Sequence, residues 1–128
     1  MLLVAACGAL GALSRAGLGL LLPPSDGWPW GTLTANLTGA FALGIVLEVC
    51  ARFGPWHEGA LRARLALGTG FLGGYTTFSA LALETERLLA SGEVIQATVY
   101  ILGTMVCGVL LAWWGIRLGR SLPVGVRR

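Results

Sequence analysis

The stretch that decides the fold of this chain is Gly-Phe-Leu-Gly-Gly-Tyr-Thr-Thr-Phe-Ser, residues 70–79. It lies inside an uncharged apolar window, residues 65–83, of the length that a transmembrane helix needs, about 20 residues. Glycine pairs beside hydroxyl residues in such a helix predict a break, or close contact with another helix. A break exposes carbonyl groups, which are tolerated at membrane depth only where they line a cavity or bind an ion. The alternative is a small-residue packing face, because Gly70 and Gly74 form a G-x-x-x-G pattern.

The composition of the chain is that of a small integral membrane protein. Of its 128 residues, 55% are hydrophobic and 12% are charged, whereas a soluble domain has about 25% charged residues. Such a composition excludes a disordered chain and disfavours a soluble enzyme. We therefore predict an all-α membrane protein, one transmembrane domain over residues 1–128, with four transmembrane helices and a broken third helix. The predicted spans are about 2–22, 30–50, 63–83 and 94–116.

Arginine supplies all of the side-chain positive charge, and it is distributed unevenly between the two ends of the predicted bundle. One end carries Arg87, together with Arg15 if that side chain extends toward the nearer surface. The second loop and the C-terminal tail share the other end, which carries Arg52, Arg62, Arg64, Arg117, Arg120, Arg127 and Arg128. The positive-inside rule then predicts that both termini face the cytoplasm.

Two further polar features lie in apolar spans. Asn36 is in the middle of the second span, where an amide is costly unless it has a partner or faces water. An interhelical hydrogen bond, worth about 1 kcal/mol in membranes, would be a sufficient explanation. The last span carries a stripe on one face, spaced by four residues, formed by Gln96, Tyr100, Thr104 and Gly108. Its hydroxyls either line a polar track or bond back to their own helix.

Together these features describe a pore without fixed charge. Amide and hydroxyl groups can replace the hydration shell of an anion, and the positive edge of a phenyl ring can face one. The span interiors contain no carboxylate of the kind that a cation- or proton-coupled transporter needs, because Glu48, Glu84 and Glu86 are placed at span ends. No Ser-His-acid or paired-carboxylate arrangement can be assembled, so we predict that the chain is not an enzyme. The residues favour a small neutral or anionic permeant.

At these residues the sequence resembles the Fluc/CrcB family of fluoride channels. The resemblance covers nearly the whole chain, and its most specific part is the stretch 70–79. The other matching residues are Gly8, Gly11, Arg15, Gly31, Thr32, Leu33, Asn36, Gly39, Phe41 and Tyr100. These residues occur in the order and at the depths that the family pattern has.

The resemblance implies an antiparallel dimer of four-helix subunits, with fluoride pathways between them, in the inner cell membrane. It implies passive export of fluoride that enters as the neutral acid and dissociates in the cytoplasm. The backbone carbonyls of Gly73 and Thr76 would hold a structural sodium ion at the dimer centre, which is not transported. The residues implied for the fluoride pathway are Asn36, Phe78, Ser79, Tyr100 and Thr104. Arg15 would lie near the interface and support the structure or the vestibule.

The chain departs from the family pattern at two positions. A second phenylalanine of that pattern is replaced by Leu81, and a hydroxyl expected one turn beyond Thr104 is replaced by Gly108. With the arginine bias, these changes suggest a heterodimer with a homologous chain of opposite orientation, in which one pathway is degraded or non-conducting. A homodimer remains open. A small multidrug-type exporter is a further alternative, although it would need a membrane carboxylate.

Overall fold

The computed structural model describes residues 1–54 and 57–123, so the predicted positions of Arg127 and Arg128 lie outside the described residues. All regular secondary structure in these residues is helical. The elements in chain order are α1 (Leu2–Leu21), α2 (Trp30–Ala51), α3 (Glu58–Ala63), a π-helix (Arg64–Leu72), α4 (Gly73–Tyr75), α5 (Phe78–Ala90) and α6 (Val94–Ser121).

Three of these helices, α1, α2 and α6, are long and apolar enough to cross a membrane. The segment between α2 and α6 is divided differently. It begins at Glu58, before the predicted start of the third span, and it continues to Ala90 as consecutive shorter helices interrupted at Thr76 and Thr77. The protein is therefore a multi-pass α-helical membrane protein with three unbroken spanning helices and one broken helical segment.

Glycine brings α1 into backbone contact with the broken segment. A side chain at Gly74 would collide with the backbone of Gly8, and one at Gly11 would collide with the carbonyl group of Phe71. Glycine is required at these positions because the two backbones approach too closely for a Cβ atom. The stretch 70–79 therefore combines both predicted features, a break and a small-residue packing face.

A second close approach joins α2 to α6. A Cβ atom at Gly44 would collide with the carbonyl of Ala112, and one at Gly115 would collide with the carbonyl of Phe41. Near the end of α6, Arg52 Nη1 also donates hydrogen bonds to the carbonyls at 119, 120 and 122, at 3.1, 3.3 and 2.7 Å. These contacts fix the register between α2 and α6, which carry several of the predicted pathway residues.

The buried apolar core lies between α5 and α6. It consists of Leu81, Leu88, Ala97 and Tyr100, with Trp28, Leu33 and Ile101 packed against it. Large apolar side chains on the outer faces of α1 and α6 are exposed, as expected for helices that contact lipid or a second chain. The core thus sits at one end of the bundle and holds the last helix against the segment that follows the break.

Candidate anion pathway at a helix break

The interruption before α5 consists of two threonines with extended backbone. Thr76 has φ −84° and ψ 154°, and Thr77 has φ −150° and ψ 123°. Thr77 caps α5, because its Oγ1 accepts a hydrogen bond from the N–H of Ala80 at 3.2 Å. The Thr76 hydroxyl donates to the carbonyl of Leu72 at 2.9 Å and so closes the preceding helix. The break lies within the stretch that predicted it.

Asn36 holds this break from the neighbouring helix α2. Its Nδ2 donates to the carbonyl of Thr77 at 3.0 Å, and the N–H of Thr77 donates to its Oδ1 at 2.8 Å. The amide thus gives the Thr77 N–H the acceptor that the carbonyl of Gly73 would supply in a continuous helix, and it adds a donor to the Thr77 carbonyl at the start of α5. The interhelical hydrogen bond considered for Asn36 is present. Because an amide nitrogen carries two hydrogens, this bond leaves one N–H of Nδ2 for another acceptor.

The break also withdraws the helical donors of two carbonyl groups. In a continuous helix the carbonyl of Gly73 would accept from the N–H of Thr77, and that of Thr76 from the N–H of Ala80. These N–H groups instead donate to Asn36 and to the Thr77 hydroxyl. The two carbonyls are those that the resemblance assigns to sodium, and neutral oxygen ligands of this kind suit a hard cation. These two carbonyl oxygens therefore have the chemistry that a structural sodium ion would require of its ligands.

A cavity of about 280 Å³ lies beside the break. Phe78 lines it and is 69% exposed in the single chain. Ser79 is exposed next to Phe78, and its hydroxyl lies 3.2 Å from that of Thr77. The residues that line the cavity are Asn36, Gly39, Ala40, Leu43, Thr76, Thr77, Phe78, Leu81, Thr104 and Met105. The structure therefore brings Asn36, Phe78 and Thr104 to one space and leaves Ser79 at its edge.

A second cavity, of about 200 Å³, lies along α6 and also has Thr104 in its lining. Its lining includes Tyr100, Gly103 and Thr104, together with Trp28 from the loop before α2. Both predicted hydroxyl residues of α6 are buried. The Thr104 hydroxyl donates to the carbonyl of Tyr100 at 2.6 Å, so of the two possibilities for the stripe it bonds back to its own helix. Thr104 lines both cavities.

The sequence interpretation missed a carboxylate at the end of this path. It placed Glu84 at the end of a span, whereas Glu84 lies inside α5, half-buried, and accepts two hydrogen bonds. The Tyr100 hydroxyl donates to Oε2 at 2.6 Å, and the Thr32 hydroxyl donates to Oε1 at 2.7 Å. Helical periodicity could have found it, because Glu84 shares a face with the apolar Leu81 and Leu88.

Arg15 contacts the same broken segment from α1. Its Nε donates to the carbonyl of Gly74 at 3.4 Å, and the side chain is half-buried. The guanidinium group is therefore next to the break, and it reaches the broken segment from a different helix than Asn36 does. Its role in supporting the structure or the vestibule, and its position near a dimer interface, stay predictions.

The fold and the site define a multi-pass α-helical membrane protein with neutral polar groups around a helix break. Over residues 2–116 the chain matches the family model described as CrcB-like protein, Camphor Resistance (CrcB). The chain belongs to the Fluc/CrcB fluoride channel family. This is a family of channels, so the chain is not an enzyme.

The curated relatives cover nearly all of the chain. A protein named fluoride-specific ion channel FluC from Thermus thermophilus is 48% identical over 125 residues, which are 94% of this chain and 95% of the relative. FluC 1 from Cutibacterium acnes is 45% identical over 83% of this chain and 75% of its own length. FluC from Chlorobium phaeobacteroides is 39% identical over 94% of this chain and 92% of its own length.

Proposed function

We propose that this protein is a fluoride-specific channel that passively exports fluoride across the inner cell membrane. The observation that carries this proposal is the set of uncharged groups at the break, which can stabilise an anion. There, Asn36 offers an unused amide N–H to a cavity that Phe78 also lines. Amide hydrogens and the positive edge of a phenyl ring stabilise an anion without a fixed charge that would trap it. The broken segment provides the fourth membrane crossing.

The pathway runs from Asn36 past Thr104 to Tyr100. In the observed arrangement the Tyr100 hydroxyl donates to the Glu84 carboxylate. An ion beside Tyr100 therefore has to compete with a carboxylate for that proton. Fluoride, which is small and accepts strong hydrogen bonds, competes better than chloride. This competition supports selectivity for fluoride.

The functional unit in this proposal is an antiparallel dimer. Phe78 is 69% exposed in the single chain, although it stands next to the polar break. A second copy packed over this surface would close the cavity and bring a second pair of Gly73 and Thr76 carbonyls near the first. Two carbonyls from each subunit would then surround a structural sodium ion with four oxygen atoms. The ion would hold the two breaks together and would not be transported.

The choice between two identical chains and two homologous chains rests on the arginine distribution. Seven of nine arginines lie at one predicted end, so a single chain inserts preferentially in one direction. A homodimer needs both directions. This bias favours the second candidate, a heterodimer in which the substitution at Leu81 impairs one of the two pathways.

Fluoride efflux from liposomes tests the function. Vesicles containing the purified protein are loaded with potassium fluoride and diluted into fluoride-free buffer with valinomycin, and a fluoride electrode follows the release. We expect rapid loss of fluoride, whereas matched vesicles loaded with chloride retain chloride. Equal loss of both anions contradicts a fluoride-specific channel. If the protein alone is inactive, co-reconstitution with a homologous chain from the same cell decides between the heterodimer and a non-conducting protein.

A further inference from the structure

A third cavity, of about 260 Å³, lies at the end of the bundle where α1 joins α2. The loop between these helices forms one wall, and one face of α5 forms the other. Its lining consists of Pro24, Gly27, Pro29, Glu84, Arg87, Leu88 and Ser91. Glu84, in this lining, accepts the hydrogen bond of the Tyr100 hydroxyl, so the cavity lies one side chain away from the proposed end of the pathway.

The charges around this cavity are unfavourable for an anion, with one exception. Four acidic residues belong to this end of the bundle, in the α1–α2 loop, in α5 and just before α6: Asp26, Glu84, Glu86 and Glu93. Arg87 is the one arginine that lines the cavity among the described residues. An anion that leaves or enters here would otherwise meet only negative side chains, which repel it over about one Debye length.

Arg87 is also not used elsewhere in the described structure. Glu84, one turn before it, directs both carboxylate oxygens to the hydroxyls of Thr32 and Tyr100. The ion pairs within residues 1–54 and 57–123 join Arg62 to Glu58 and Arg120 to Glu48. The Arg87 side chain is exposed and lines the cavity, so its charge is available to a mobile anion.

We propose that this cavity is an outer mouth of the anion pathway and that Arg87 is its anion-collecting residue. The inference rests on the proposed fluoride channel. A hydrated anion gathers beside Arg87, which offsets the charge of Glu84, and exchanges with the narrow path at Tyr100. The mouth itself does not distinguish fluoride from larger halides, because its volume of about 260 Å³ admits them.

The first test compares fluoride efflux of Arg87→Gln and Arg87→Lys with wild type at low and high ionic strength, set with an impermeant salt. Steering by a single charge acts over about 30 Å at 0.01 M salt and about 3 Å at 1 M. We expect Arg87→Gln to lower efflux roughly three-fold or more in low salt, with the difference disappearing in high salt. Arg87→Lys should stay near wild type.

The matched control is Arg62→Gln, which removes the same charge from an exposed residue outside this cavity. It should leave efflux unchanged. A loss in Arg87→Gln that is equal in low and high salt indicates a structural role and overturns the proposal, as does unchanged efflux. Failure of the wild type to release fluoride, both alone and co-reconstituted with a homologous chain, contradicts the proposed channel function, and the second test then decides anion binding at Arg87 independently.

The second test needs no transport. Crystals of the wild-type protein and of Arg87→Gln are soaked in bromide, and anomalous scattering locates the ion. We expect a bromide peak in the cavity at contact distance from the Arg87 guanidinium, and its loss in Arg87→Gln. The absence of a peak in the wild type, or its persistence in Arg87→Gln, overturns the assignment of Arg87.

Discussion

The sharpest consequence of the structure concerns Asn36, whose amide both supports the helix break and offers a donor to the cavity. Replacing it with alanine removes two hydrogen bonds to the Thr77 backbone, of 3.0 and 2.8 Å. Such bonds contribute about 1 kcal/mol each, and about 0.6 kcal/mol on average in membranes. The loss is therefore about 1–2 kcal/mol, before any cost of leaving the Thr77 N–H without a partner.

Asn36→Asp separates stability from conduction. An aspartate oxygen can still accept from the N–H of Thr77, but the carboxylate has no donor for the Thr77 carbonyl and adds a negative charge to the pathway. We expect about half the destabilisation of Asn36→Ala, because the half-buried side chain keeps one of its two hydrogen bonds and faces the cavity. We also expect efflux to fall by about 100-fold, which corresponds to about 2.7 kcal/mol of repulsion between the added carboxylate and the permeant anion. The proposed dimer should remain intact by size-exclusion chromatography.

The assay combines fluoride efflux from liposomes with thermal unfolding in detergent. Since 1 kcal/mol shifts the midpoint by about 4 °C in a domain of this size, Asn36→Ala should lower it by roughly 4–8 °C. The control is Thr98→Ala, because the exposed Thr98 hydroxyl only bonds the carbonyl of Val94 within its own helix, at 2.8 Å. Normal efflux in Asn36→Asp, with a normal midpoint in Asn36→Ala, would refute both roles of the amide.

Four other outcomes follow from the same geometry. Phe78→Ile keeps apolar volume but loses the ring edge, so fluoride efflux should fall by about ten-fold or more, which corresponds to a barrier raised by at least about 1.4 kcal/mol. The proposed dimer should persist in this variant, and normal efflux would remove Phe78 from the pathway. Tyr100→Phe deletes the proton shared with Glu84, and its fluoride-over-chloride selectivity, measured in paired efflux assays, should decrease. Replacing sodium with N-methylglucamine throughout purification should lower the unfolding midpoint of the protein, and an unchanged midpoint argues against the proposed structural ion. The Gly108→Ser variant should show equal or faster efflux with an unchanged unfolding midpoint, and a lower midpoint would contradict the open space around that glycine. The Leu81→Phe variant should unfold at a lower temperature than the wild type.

The sequence predicts the break well because its causes are local. Glycines and threonines in one apolar window reduce helix stability there, and Thr77 supplies its own cap for the helix that follows. Hydrogen bonds between helices cannot be predicted in the same way. That Asn36 bonds the backbone of Thr77 depends on which faces of α2 and the broken segment meet, and hydropathy contains no such information.

The role of Glu84 also depends on contacts between helices that the sequence does not reveal. A carboxylate close to a predicted span end is expected to face water, so the sequence assigns it no role. Its two hydroxyl partners come from α2 and α6, which are distant in sequence and meet only when the bundle packs. The extension of the broken segment from Glu58 to Ala90 was missed for a related reason, since charged residues at both ends conceal continued helix.

The two departures from the family pattern have different structural consequences. Leu81 is 3% exposed and packs in the core with Tyr100, so a larger phenylalanine ring at this position would overfill a space built around leucine. Gly108 has no heavy atom within 4 Å of the position of an added Cβ, so a hydroxyl can be restored there without rearrangement. The change at Leu81 is therefore fixed by compensating packing, and the change at Gly108 is reversible. If both changes impair the pathway, the substitution Gly108→Ser would restore only the hydroxyl. Full conduction would then require a partner chain that retains the phenylalanine.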